Sequence, residues 1–107
     1  MTQFNIKRND TAPSIAGICE RPAGTPVNVT GATVRFKMRD AKNKQSVVNA
    51  VATVVDGTAG SVRYDWQAED TDTAGFFEAE WEVTYSDSTI ETFPNDDFIT
   101  VRIEEDI

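Results

Sequence analysis

From Phe77 to Tyr85 the chain alternates without a fault. Phe77, Ala79, Trp81, Val83 and Tyr85 take the odd positions, and Glu78, Glu80, Glu82 and Thr84 the even ones. Successive side chains of a strand point to opposite faces, so this segment reads as a strand with one apolar face and one acidic face. Such a strand needs a partner of the same kind. Ala32 to Arg39 supplies it, with Val34, Phe36 and Met38 on one face and Arg35, Lys37 and Arg39 on the other. Side by side in one sheet, the two strands set three basic residues against three glutamates. Each opposite-charge pair then contributes ~0.2–1 kcal/mol, and a solvated cross-strand ladder is the expected use of these six charges.

The rest of the chain follows the same period of two, and no segment carries a helical period. Phe4 and Ile6 mark a first strand, and Ser14 to Glu20 a second, weaker one after Pro13. Arg21 to Pro26 is rich in turn residues, Val47 to Val55 reads as one valine-rich strand, and Asp56 to Gly60 is a turn. Val62, Tyr64 and Trp66 form the inner face of the next strand, Thr89 to Phe93 a further one, and Phe98 to Ile103 the last. About seven short strands separated by turns predict an all-β, immunoglobulin-like β-sandwich of antiparallel strands. With 107 residues, the expectation is one domain over 1–107. The loop Glu69 to Phe77 resembles the corner that precedes the sixth strand of immunoglobulin domains. Phenylalanine stands there in place of the corner tyrosine, so its hydroxyl bond is expected to be absent.

The residues that chemistry would need are missing. The chain has no histidine, which excludes Ser-His-Asp and Cys-His sites and histidine-based metal centres. Cys19, the one cysteine, is expected to be a small buried hydrophobe. No glycine-rich loop leads into a helix to cradle phosphate. Carboxylates are many, but most fall in turns or on an outward strand face, where tuning by burial is not expected. Asp70, Asp72 and Gly75 loosely follow a calcium loop and Asn95-Asp96-Asp97 is oxygen-rich. Trp81, however, takes the place of the bidentate glutamate, so acidic turn solvation is the preferred reading. The expectation is therefore no catalytic residue, no cofactor and no metal.

No run of about 18 apolar residues is present, and the N-terminus lacks the apolar core of a signal peptide, so no membrane partner is expected. Net charge is −8, divided as +5 over residues 1–44 and −13 over 45–107. Basic strands lying beside acidic ones absorb part of this asymmetry. Nucleic-acid binding needs basic residues among exposed aromatics, whereas here they alternate with buried Phe36 and Met38, so no nucleic acid is expected.

What remains is contact. The first strand, with Phe4 and Ile6, is expected at a sheet edge, where its open backbone can meet another chain. Phe93 and Phe98 flank a turn with little core to enter. The acidic tail Glu104, Glu105 and Asp106 suits a basic patch such as Lys42 and Lys44 on an adjacent copy, in a head-to-tail ring. These nine residues are the interface candidates.

Three segments carry a family resemblance: Phe4 to Thr11, Thr30-Gly31-Ala32-Thr33-Val34-Arg35-Phe36-Lys37-Met38-Arg39-Asp40, and Gly75 to Tyr85. With Gly60-Ser61-Val62-Arg63-Tyr64-Asp65-Trp66 they resemble the N-terminal domain of phage baseplate upper proteins. The resemblance implies an immunoglobulin-like virion domain that attaches to other structural proteins and to copies of itself. It implies a location in the virion, and the missing signal peptide implies synthesis in the host cytoplasm. The larger members continue into helical linkers and receptor-binding parts. This chain stops at Ile107 and is expected to be a short stand-alone copy, at the baseplate, tail, neck or capsid surface. The alternative function is a surface module recognising carbohydrate or a receptor, which exposed aromatic rings near 86–98 would favour.

Overall fold

A computed structural model describes residues 3–107; Met1 and Thr2, the start of the segment read for a leader, lie outside them. The elements in chain order are β1 (Gln3–Lys7), β2 (Ile15–Ile18), β3 (Glu20–Arg21), β4 (Thr25–Pro26), β5 (Thr33–Asp40), β6 (Ser46–Val51), β7 (Thr53–Asp56), β8 (Ser61–Tyr64), β9 (Gly75–Thr84), β10 (Ile90–Phe93) and β11 (Ile99–Glu104). Among the described residues there is no helix. The larger sheet runs β1-β11-β9-β5-β6, with β10 also on β9; the smaller runs β2-β8-β7, and β3 and β4 form a separate hairpin. The two larger sheets close on one apolar core, the sandwich that the alternation predicts.

β5 and β9 are its centre. They pair antiparallel over eight residues, with Arg35 opposite Glu82, Lys37 opposite Glu80 and Arg39 opposite Glu78. The ladder forms, with a twist in its partners. Lys37 Nζ reaches diagonally to Glu82 at 2.9 Å, and Arg39 Nε meets Glu78 directly at 2.9 Å. Arg35 turns to the far side and donates to Asn49 Oδ1 at 2.8 Å. Inside, Phe36 stacks on Tyr64 at 4.8 Å and packs against Trp81 at 4.9 Å. Phe77 is buried and Phe76 exposed, as the alternation requires.

Three expectations are corrected. Val47 to Val55 is not one strand. It breaks at buried Ala52, whose N–H donates to Val34 O at 2.8 Å, and β6 and β7 belong to different sheets. A strand that changes sheets closes the flank of a sandwich. The pairing is not antiparallel throughout, since β1 runs parallel to β11. At the corner before β9 phenylalanine does stand in place of tyrosine, and the loop is held instead from β8, where Tyr64 donates its hydroxyl to Asp70 Oδ2 at 2.6 Å. Phe93, expected outside the core, is 1% exposed. β10 aligns it with Trp81 across the β9 ladder, which carries its ring into the same apolar layer.

Candidate interaction surface

The nine interface candidates do not converge on one patch. Phe4 and Ile6 lie on β1, which is an edge strand as expected, but both face inward: Ile6 is buried and Phe4 packs partly against the core, 5.9 Å from Trp66. Phe93 is in the core. Phe98 is half-buried beneath Arg39, whose guanidinium lies 5.0 Å from the ring centroid. Lys42 and Lys44 are exposed in the β5–β6 turn, and Lys44 Nζ bonds Glu78 at 3.1 Å.

The acidic tail meets a basic residue of its own chain. The parallel pairing of β1 with β11 brings Arg8 beside it. The Arg8 N–H donates to Glu104 O at 2.8 Å, and its guanidinium lies 3.2 Å from Asp106 and 3.6 Å from Glu105. These pairs are solvent-exposed and weak, ~0–1 kcal/mol each.

Two features absent from the sequence reading emerge on opposite flanks. One flank is the segment from β6 to β7, which ends both sheets. Residues 45–55 contain no charged residue, glycine or proline. Edges of natural sheets are ordinarily guarded by charge or proline. Here Val47, Val51 and Val55 stand exposed, Val51 at 63%. Register shifts in the β5–β6 and β7–β8 pairings leave Val47 and Val55 without ladder partners. The signal was available: a charge-free run in a chain that is 26% charged.

The other flank carries a groove of about 590 Å³ between β1, β2, the β3–β4 hairpin and the turn after β10. Phe4, Ile15, Ile18, Trp81 and Ile99 line it, with Glu20 and Asp96 also on its wall. Gly17 is needed there, since a Cβ at that position would lie 2.8 Å from Trp81 Nε1. The hairpin wall is pinned by Arg21, which grips Glu91 with two bonds of 3.0 and 2.8 Å. Tyr85 Oη also donates to Glu91, at 2.8 Å. The Arg21 bonds, aided by those from Tyr85 and Asn95, hold the Glu91 carboxyl down at about 2 against the cost of its burial.

The ionisable groups are set for structure. Burial and then the nearby Glu91 charge push the Cys19 thiol up to about 11. Burial and the bond to Glu91 raise Tyr85 to about 12. Partial burial pushes Glu78 up, but hydrogen bonds from Arg39 and Lys44 outweigh it and hold the carboxyl low. Asp40, Asp65 and Asp87 are held low by hydrogen bonds from Asn43 and Lys42 N–H groups, from Ser14, and from Thr89 respectively. A general acid needs a carboxyl raised towards neutrality, and each of these moves the other way. Asp70, read in the loose calcium loop, accepts from Tyr64 and from the Gln67 N–H at 2.8 Å. No group of three or more His, Cys, Asp or Glu among the described residues is placed to hold a metal ion.

Two sheets closed over one apolar core define a β-sandwich domain. Residues 23–102 match the model of the BppU N-terminal domain, and the chain belongs to that family. The family is one of phage baseplate structural domains, not of enzymes, and it makes the chain a virion-associated protein that meets other virion proteins. Among curated proteins no sequence matches. Of solved structures, the chain is similar to the crystal structure of CopC from Methylosinus trichosporium OB3b. The TM-score is 0.54 at 11% identity, covering 100% of this chain and 88% of that one, which speaks to the fold alone.

Proposed function

We propose that this domain is a multi-copy attachment or reinforcement module of the phage virion, acting by protein–protein contact and not by chemistry. Family membership and the β6–β7 flank, whose own residues from 45 to 55 carry no charge or proline, together support this reading, and the flank carries it. A sheet edge without charge or proline is a hazard for a free monomer and an asset for a chain that is covered in an assembly. The carboxylates held low and the protonated Cys19 thiol support contact over catalysis. The alternative, a carbohydrate or receptor module, called for exposed aromatic rings near 86–98. Phe93 is buried and Phe98 half-covered, so that surface lacks its platform.

The test is quantitative mass spectrometry of purified virions, with copy number referred to the portal. Many copies per particle are expected. Absence from particles, or a hydrolase activity lost on substituting surface carboxylates, would overturn the reading.

A further inference from the structure

We propose that copies of this chain associate head to tail, the valine flank of one entering the lateral groove of the next. This deepens the multi-copy reading by naming the surfaces through which copies meet. The two surfaces lie on opposite flanks of one sandwich, since β6 and β7 end the two sheets on one side and β1 and β2 on the other. Surfaces so placed cannot pair within a chain, and between chains they give a heterologous contact that closes into a ring or runs on as a stack.

Their chemistry is complementary. The flank offers Val47, Val51 and Val55, all exposed, preceded by exposed Lys42 at the β5–β6 turn. The groove offers an apolar wall including Ile18, itself exposed, with the carboxylates of Glu20 and Asp96 beside it. Arg21, the basic residue of that wall, is engaged by Glu91, so the groove's outward charge is acidic. Its volume of about 590 Å³ has room for several aliphatic side chains. The irregular pairings at Val47 and Val55 interrupt the ladders at this edge, so the contact is made by side chains and does not extend either sheet.

Sedimentation of the purified full chain from micromolar to millimolar concentration tests this. The wild type should self-associate, and V51K and I18K should each weaken association by about tenfold or more. Both sites are exposed, so circular dichroism should be unchanged; if I18K misfolds, Ala16→Lys on the same strand replaces it. The decisive arm is the mixture. V51K retains an intact groove and I18K an intact flank, so together they should form a one-to-one complex that grows no further. A carbodiimide cross-link from Lys42 of one isotopically labelled copy to Glu20 or Asp96 of another should appear in the wild type.

A chain that stays monomeric at millimolar concentration overturns the proposal. So does association insensitive to both variants, or a mixture of two monomeric variants that fails to pair. If the chain associates as described but is absent from virions, the virion reading falls and this contact stands. If virions hold many copies and V51K enters them unchanged, the contact falls and the virion reading stands.

Discussion

β9 and the run from Ser46 to Asp56 are both rich in β-forming residues, yet they behave in opposite ways. β9 alternates glutamate with apolar side chains from Phe77 to Val83 and stays one ten-residue strand at the centre of its sheet. The valine run carries no charge between Gln45 and Asp56, bends at Ala52, and divides between two sheets at the edge of both. A strict alternation leaves one orientation in which no glutamate is buried, so each β9 side chain has a determined face. A run of small apolar and uncharged residues costs little either way up. Its faces are settled by what it packs against, and surplus valines are left in solvent. The centre of the molecule is fixed by its alternation, and the flank leaves Val47, Val51 and Val55 exposed.

This contrast can be broken most sharply at Trp81, which is buried at the middle of β9. Trp81→Ala should cost ~3–5 kcal/mol in denaturant unfolding, whereas Val51→Ala on the flank should stay within about 0.5 kcal/mol. Equal effects at the two sites would erase the distinction. Phe93→Ala should behave like Trp81→Ala, since the two rings share a register position across β9 and β10. A folded, undisturbed Phe93→Ala variant would return that residue to the surface.

Next in size is Gly17→Ala. Its new methyl would come within 2.8 Å of the Trp81 indole nitrogen, and overpacking of this kind costs ~1–3 kcal/mol. A shift of Trp81 fluorescence should accompany the loss. Unchanged stability would mean that β2 has slack against β9.

The hairpin over the groove supplies a pH signature. The Glu91 carboxyl is held at about 2, below its unfolded value near 4.3. A carboxyl depressed by folding contributes stability that is complete above the unfolded value and fades as pH falls from about 4.3 towards 2. Wild-type stability should therefore decline across that window, and Glu91→Gln should flatten the decline while lowering stability at neutral pH. Titration of the Glu91 carboxyl by NMR near its unfolded value would sink this account.

The smallest effect belongs to the outer ladder. Reversing Lys37 or Glu82 alone should cost ~0.2–1 kcal/mol, and reversing both should restore most of it. The same cycle on Lys37 and Glu80 should restore less. Those two are opposite in register, but the ammonium bonds Glu82. Equal coupling in the two cycles would show that the diagonal bond carries no energy of its own.

Wherever charge and apolar side chains alternate, the sequence by itself determined the outcome. It determined that β5 and β9 are neighbours in register, that Phe77 and Trp81 face inward while Phe76 faces out, and that the class is an all-β sandwich. In these strands the cost of burying a charge acts residue by residue and needs no knowledge of distant parts. Tertiary structure decided the rest. In β10, Ile90 and Thr92 share one face and Glu91 and Phe93 the other, so each face carries one apolar and one polar residue. Register with Val83 and Trp81 then turned Glu91 and Phe93 inward, where Arg21 and Tyr85 meet the carboxylate. The Tyr64–Asp70 bond, the capture of the tail by Arg8, the bend at Ala52 and the groove beside Gly17 each join segments that no local pattern relates. They exist because two sheets of unequal size must close over one core, which leaves a gap on one side and a valine flank on the other.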